Sequence, residues 1–355
     1  MHSDLKKNII KLAAFGGLLL VILVIASAIM TPEKWFDENL IQDRNSRSVQ
    51  MMEQPEYTID VMNIGDSLST AGFTPMELWR QQGFTSFNIG ADGLRMAESY
   101  YAVVEACDKQ APKYLLIESL YLFRFALGQD MQMSLSHPIY HRSAFLKYHN
   151  IWKSLVEPKG VMIYHRGYTV NENVGEYEGD FGYLDLDLDK NNRMTISAYN
   201  SFYFDMIKKF CDERGIKIIL YSMPSALNYN WERVGKIEEF AKEKRVEYID
   251  LNQIIDQVGI DWEQDTNDNG DHMNLFGAVK VTGYLGNHLK EKADLVDHRG
   301  DPAYSDWDAE LIEYDQLVED MEGMSFQDIW NIRKDKEWDE KYKKQDSQKN
   351  TEKTE

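Results

Sequence analysis

The chain has 355 residues, 43% of them hydrophobic, enough for one large domain or two small ones with a sizeable core. Its formal net charge of −20 argues against nucleic acid as a partner, because phosphate binding needs a basic surface. Two cysteines, Cys107 and Cys211, could bridge, but neither their spacing nor their neighbours suggest zinc, and a domain of this size does not need a disulfide.

Residues 1–11 read as a cytoplasmic N-terminus and residues 12–30 as a transmembrane anchor. From Leu12 to Met30 there is no charge, a run close to the thickness of a bilayer core. Lys6, Lys7 and Lys11 precede it, and Glu33, Asp37 and Glu38 follow, so the expected topology is single-pass, N-terminus inside, with the main domain extracytoplasmic. Ala26-Ser27-Ala28 could serve a signal peptidase, but the apolar run is long for a signal sequence.

Residues 31–57 read as a linker, and strands and helices then alternate. Apolar, β-rich runs occur at 58–65, 86–90, 113–119, 217–223 and 246–252. Helical patterns occupy 75–82, 94–110, 197–215, 231–244 and 274–291. Thr74-Pro75-Met76-Glu77 predicts a helix start, with Thr as N-cap and Glu at N3. The alternation predicts an α/β fold, a flavodoxin-like three-layer sandwich on a parallel sheet, with ligands at the carboxyl ends of the strands. Residues 120–196, rich in Tyr, His, Gly and Asn, read as a long insertion that shapes a substrate site, its aromatic rings open to packing or to sugar stacking.

"DLDLDKNN" (185–192) resembles a calcium loop, but Lys190 and Ile196 stand where that loop needs Gly and Glu. Residues 299–330 read as an acidic helical extension, with Ser305 and Asp308 as a capping box and Trp307, Leu311, Tyr314 and Val318 as an apolar stripe docked on the domain. Residues 331–355 have the polar, mixed-charge composition of a disordered tail.

Two stretches could carry chemistry. Gly65-Asp66-Ser67 stands at the exit of the first strand, where a serine hydroxyl is exposed but needs a general base to act as a nucleophile. His272 stands after the last strand, again at the carboxyl edge, with Asp268 and Asp271 as candidates for the carboxylate that orients its ring.

Gly65-Asp66-Ser67, "FNIGADG" (87–93) and "GDHMNLFGAVKVT" (270–282) together resemble the SGNH/GDSL hydrolases over roughly residues 58–292. Within that superfamily they look most like a membrane-anchored extracytoplasmic branch that includes the D-alanine-transfer protein DltD and the alginate-type O-acetylation proteins. The resemblance implies an SGNH hydrolase fold over 58–298. It implies Ser67 as nucleophile, His272 as its base, and the peptide N–H groups of Ser67 and Gly90 as oxyanion donors.

Two departures stand out. The family's Gly-x-Asn-Asp block, whose Asn adds an oxyanion donor, is replaced by "LIESLYLF" (116–123) with Glu118 and Ser119. The family's Asp, three residues before the His, is Asn269 here. Asp268 is favoured as its replacement, with Asp271 left open.

The resemblance implies a membrane-anchored serine esterase or O-acyltransferase acting through an acyl-enzyme on a cell-surface glycan or teichoic-acid-like polymer. A membrane-bound O-acyltransferase would be a partner, and neither metal nor cofactor is called for. The departures also fit a catalytically degenerate scaffold that binds glycan or assembles an acylation complex.

Overall fold

The computed structural model describes residues 2–30, 46–149, 165–188 and 194–321. The expected tail (331–355), part of the linker, part of the insertion and part of the calcium-like loop lie outside the described residues.

Five strands form one parallel sheet: β1 (Val61–Ile64), β2 (Ser86–Asn88), β3 (Tyr114–Glu118), β4 (Lys217–Ser222) and β5 (Glu247–Asp250), in spatial order 2-1-3-4-5. This is the flavodoxin-like order, and its switch point falls between β1 and β3. The strands are apolar at successive positions because both faces are covered. Every residue of β1, β2 and β3 is buried, and so is β4 beyond Lys217.

All the expected strands are present, each trimmed at its ends. The five expected helices are present too: α4 (Pro75–Gln82), α5 (Met96–Ala106), α8 (Ala198–Asp212), α9 (Trp231–Lys244) and α11 (Leu275–Glu291). Right-handed crossovers to β3, β4 and β5 put α5, α8 and α9 on one face, and the reversed step from β1 to β2 puts α4 on the other, against α11.

Five further helices among the described residues were not legible in the sequence. They are α2 (Ser46–Glu53), the short α3 (Ser67–Gly72) directly after β1, α6 (Leu127–Tyr140) and α7 (Ala144–Lys147) within the insertion, and α10 (Ile255–Val258) after β5. Most aromatic rings described in the insertion pack inward: Tyr121, Tyr148, Tyr168, Tyr177 and Tyr183 are buried. Cys107 and Cys211 are both free thiols.

Helix α1 (His2–Ile29) stands at the start of the described residues, ahead of α2. Its Leu5–Ile29 stretch is long and apolar enough to cross a membrane, starting earlier than the composition break at Leu12 suggests.

The acidic extension forms α12 (Ser305–Met321), with its apolar stripe inward as expected. Trp307 and Tyr314 are buried, and the Trp307 and Trp79 rings lie 5.4 Å apart between centroids. The Arg166 guanidinium also lies over the Trp307 ring, 4.2 Å from its centroid.

The helix start at Thr74-Pro75 is as expected, with Thr74 as N-cap, but no side-chain cap bond forms there, and the Ser305–Asp308 capping box is not seen among the described residues. Asp308 instead accepts from the Trp79 indole at 3.0 Å. Thr74 has the extended backbone of an N-cap, but its hydroxyl faces Tyr314, and Glu77 pairs with Arg80. Tertiary partners take the Thr74 hydroxyl and the Asp308 carboxylate, and a pair within the helix takes Glu77.

Removing the Trp307 ring should therefore unseat α12 and open a cavity on Trp79. Trp307→Ala is expected to cost about 3–5 kcal/mol, read as a lower denaturation midpoint. A midpoint unchanged from the parent would show that α12 contributes nothing to the core.

Candidate active site

Each residue of Gly65-Asp66-Ser67 has a separate physical reason. A Cβ on Gly65 would lie 2.6 Å from both the Glu118 and Ser69 Cβ atoms, so only glycine permits this approach of β1 to β3 and α3. Asp66 is the N-cap of α3: its Oδ1 accepts from the Leu68 N–H at 3.2 Å, while Oδ2 receives the Arg124 guanidinium at 2.6 Å. Ser67 is the first residue of α3, where peptide N–H groups have no partner within the helix. No acceptor for the Ser67 N–H is found among the described residues.

A buried polar network holds α3 from beneath. Asn63 of β1 donates to Ser69 Oγ at 2.9 Å and accepts from Tyr221 OH at 2.9 Å. Asn88 of β2 donates to the carbonyls of Ser69 (2.9 Å) and Phe73 (3.2 Å), spanning the helix. The sequence signal for both was a polar residue inside an apolar strand, whose place in a fully buried sheet demands a partner.

His272 lies on a clamped turn between β5 and α11. Asn269 (φ +61°) and Gly270 (φ +91°) take left-handed conformations, and the tighter path lets Asp268 reach the imidazole. The Asn269 N–H donates to the Gly175 carbonyl, so the described part of the insertion buttresses the turn. From the other side, Ser225 Oγ donates to the Asp271 carbonyl at 2.8 Å.

The structure brings Ser67, His272 and Asp268 into one line. His272 Nε2 is 2.8 Å from Ser67 Oγ, and Nδ1 is 2.6 Å from Asp268 Oδ2. Asp268 Oδ1 also accepts from the His272 peptide N–H at 2.7 Å, fixing the carboxylate at two points. Asp271 stands 3.7 Å from Nδ1, its carboxylate engaged by the Asn228 amide at 2.5 Å. The geometry thus selects Asp268 over Asp271 as the hydrogen-bonded partner. Of the other histidines with carboxylate partners, His288 with Glu247 and His298 with Asp60 sit at the opposite, amino-terminal edge of the sheet.

Burial alone would push the His272 pKa down. The Asp268 hydrogen bond and the charges of Asp271, Asp268 and Asp66 outweigh it, and the net pKa lies above the ordinary histidine value.

Gly90 differs from expectation. A Cβ there would lie 2.8 Å from the Gly65 carbonyl, so glycine is required, but its N–H donates to Asn88 Oδ1 at 3.1 Å. The Gly90 donor is occupied in this conformation, and of the two the Ser67 N–H is the one without an acceptor among the described residues.

Nor does Glu118 supply the absent third donor. It is fully buried, Oε1 accepts from Tyr229 OH (2.6 Å) and Oε2 from the Leu120 N–H (2.9 Å). Burial, reinforced by the Asp66 charge, holds its pKa well above the usual carboxylate range, against these hydrogen bonds.

Asp268, Asp271 and His272 present ligand atoms within 4.8 Å of one another and could hold a metal ion. An ion there would take the carboxylate and imidazole atoms that now bind one another and Ser67.

No family model matches the chain, and no curated protein matches it. Solved structures do. A protein from Bacteroides fragilis has a TM-score of 0.38 and 11% identity, covering 73% of this chain and 99% of its own. One from Bacteroides thetaiotaomicron has a TM-score of 0.36 and 11% identity, covering 71% and 98%. One from Parabacteroides merdae has a TM-score of 0.35 and 11% identity, covering 67% and 98%. These proteins are described as an acylhydrolase or as GDSL-like lipases.

Glu118→Gln keeps the shape and removes the titration. Because the folded pKa of Glu118 is raised, its neutral form is the stabilising one. The penalty is absent below the free-Glu value of about 4.3 and grows as pH rises from there to the folded value. Glu118→Gln should flatten the decline of stability over that range in denaturant titrations. An unchanged slope would contradict a buried, neutral Glu118.

Proposed function

We propose that this chain is a serine esterase or O-acyltransferase. The reading rests on one observation, the continuous hydrogen-bonded line from Ser67 Oγ through His272 to Asp268 at 2.8 and 2.6 Å. A hydroxyl so placed can pass its proton to Nε2 as it attacks, while Asp268 holds the tautomer and stabilises the imidazolium that forms.

In the proposed reaction Ser67 Oγ attacks the carbonyl carbon of an ester and its proton moves to Nε2. The tetrahedral oxyanion meets the Ser67 N–H at the start of α3. Gly90 joins as a donor once Asn88 Oδ1 releases its N–H. Collapse expels the alcohol, which takes the proton from His272, and leaves an acyl-enzyme on Ser67. Water or a glycan hydroxyl, deprotonated by His272, then removes the acyl group. The arrangement gives no role to a cofactor.

We place the reaction outside the cell membrane. The apolar α1, with Lys6, Lys7 and Lys11 at its start, would anchor the chain with its N-terminus inside. The acceptor in this reading is a cell-surface polysaccharide or teichoic-acid-like polymer, with a membrane-bound O-acyltransferase as partner. Both come from the resemblance of the sequence motifs.

A non-catalytic scaffold draws its support from the Gly90 N–H, which is closed by Asn88. A fluorophosphonate probe separates the two. Labelling should occur on Ser67, be lost in Ser67→Ala, and fall about 10²–10⁴-fold in Asp268→Asn. A folded ectodomain that does not label, with surface acylation unaltered by Ser67→Ala in cells, would favour the scaffold.

The labelling rate should rise with pH as His272 loses its proton. Because its pKa is raised, the midpoint should lie above about 6.5, the ordinary value. Asp271→Asn removes a charge that raises it and should move the midpoint down while labelling persists. A midpoint unmoved by Asp271→Asn would count against this electrostatic assignment.

A further inference from the structure

Helix α6 carries an exposed apolar stripe. Leu127, Met131, Leu135 and Ile139 are each more than half exposed. Their four-residue spacing keeps them on one slowly drifting face. The helix has one acidic residue, Asp130, which is fully buried and paired with Arg95 at 2.9 Å. In a chain of which 28% of residues are charged, a solvated helix face would carry charge, and this one has none.

The opposite side of α6 faces the domain. Ser134 bonds Tyr199 and Tyr203, and Met133, Ser136 and His137 line an open groove of about 640 Å³. That groove also touches Ala91, whose N–H bonds the Gly65 carbonyl, and Arg124, which bonds Asp66. It therefore begins beside the loop that carries Ser67.

The end of α1 meets the chain just beyond α6. Ser27 Oγ lies 2.7 Å from Ser143 Oγ and accepts from the Phe145 N–H at 3.4 Å, and Met30 packs with Val49, Tyr148 and Ala144. Ile139 precedes Ser143 by four residues. A helix able to cross a bilayer thus ends against the exit of a helix whose exposed stripe is apolar and uncharged.

We infer that α6 is a second membrane contact, lying on the outer bilayer surface with Leu127, Met131, Leu135 and Ile139 sunk into the headgroup and acyl boundary. This rests on the reading of α1 as an anchor. An acidic chain gains nothing from anionic headgroups, so the contact is an apolar one, and an uncharged stripe is what it requires. The contact sets the groove at the height of the bilayer surface, where it suits an ester presented at the membrane.

The test uses the full chain in lipid nanodiscs with an environment-sensitive fluorophore at Met131→Cys or Leu135→Cys. Ile312→Cys, at an exposed site on α12, is the control, and Leu20→Cys reports the anchor. Burial pushes the native Cys107 and Cys211 thiols up to about 11 and about 12, so they react slowly at neutral pH.

Nitroxide-bearing lipids should quench the probes at 131, 135 and 20 and spare the probe at 312. Quenching at 20 without quenching at 131 and 135 overturns the inference and leaves the anchor standing. A blue-shifted but unquenched probe at 131 and 135 also overturns it, because the stripe is then covered by protein. An unquenched probe at 20 overturns the anchor itself.

Discussion

The position of Ser67 depends on one close approach. Gly65 brings β1 so near the Glu118 and Ser69 side chains that no Cβ fits between them. The chain must then turn at once, and Asp66 caps the turn by accepting from the Leu68 N–H. Everything the hydroxyl could do follows from that geometry. It stands at the first position of α3, with no acceptor for its own N–H among the described residues and with His272 Nε2 within hydrogen-bond reach.

The buried polar groups around this approach serve it in different ways. Asn63 and Asn88 satisfy groups of α3 that would otherwise be stranded in an apolar sheet. Glu118 faces Tyr229 and the chain after β3. Its contacts are structural. On the far side, the His272 turn is held by the insertion through Gly175 and by Ser225. The insertion therefore matters to the site through backbone support, and most of its described aromatic rings are packing.

The sheet was legible because its strands are short apolar runs separated by amphipathic helices, and a buried parallel sheet leaves no other pattern. Ser67 and His272 were legible through their motifs and their shared edge. Helix α3 was not, since its six residues, Ser-Leu-Ser-Thr-Ala-Gly, have no apolar period and fold as a helix only because Asp66 and the network below require it. Helix α6 was hidden because its exposed face is apolar, which inverts the usual pattern of a surface helix. The choice between Asp268 and Asp271 turned on the left-handed Asn269 and Gly270 and on the Asn228 amide that draws Asp271 aside, neither of which sequence spacing encodes.

The central claim is that the hydroxyl of Ser67 takes an acyl group. Intact-protein and peptide mass spectrometry of the chain quenched during turnover of an activated acetyl ester tests it most directly. The account predicts a gain of a single acetyl group, localised to the peptide that carries Ser67 and cleared on further incubation with water or a glycan acceptor. Ester turnover with no acyl group on Ser67, or with the acyl group on another residue, would contradict it.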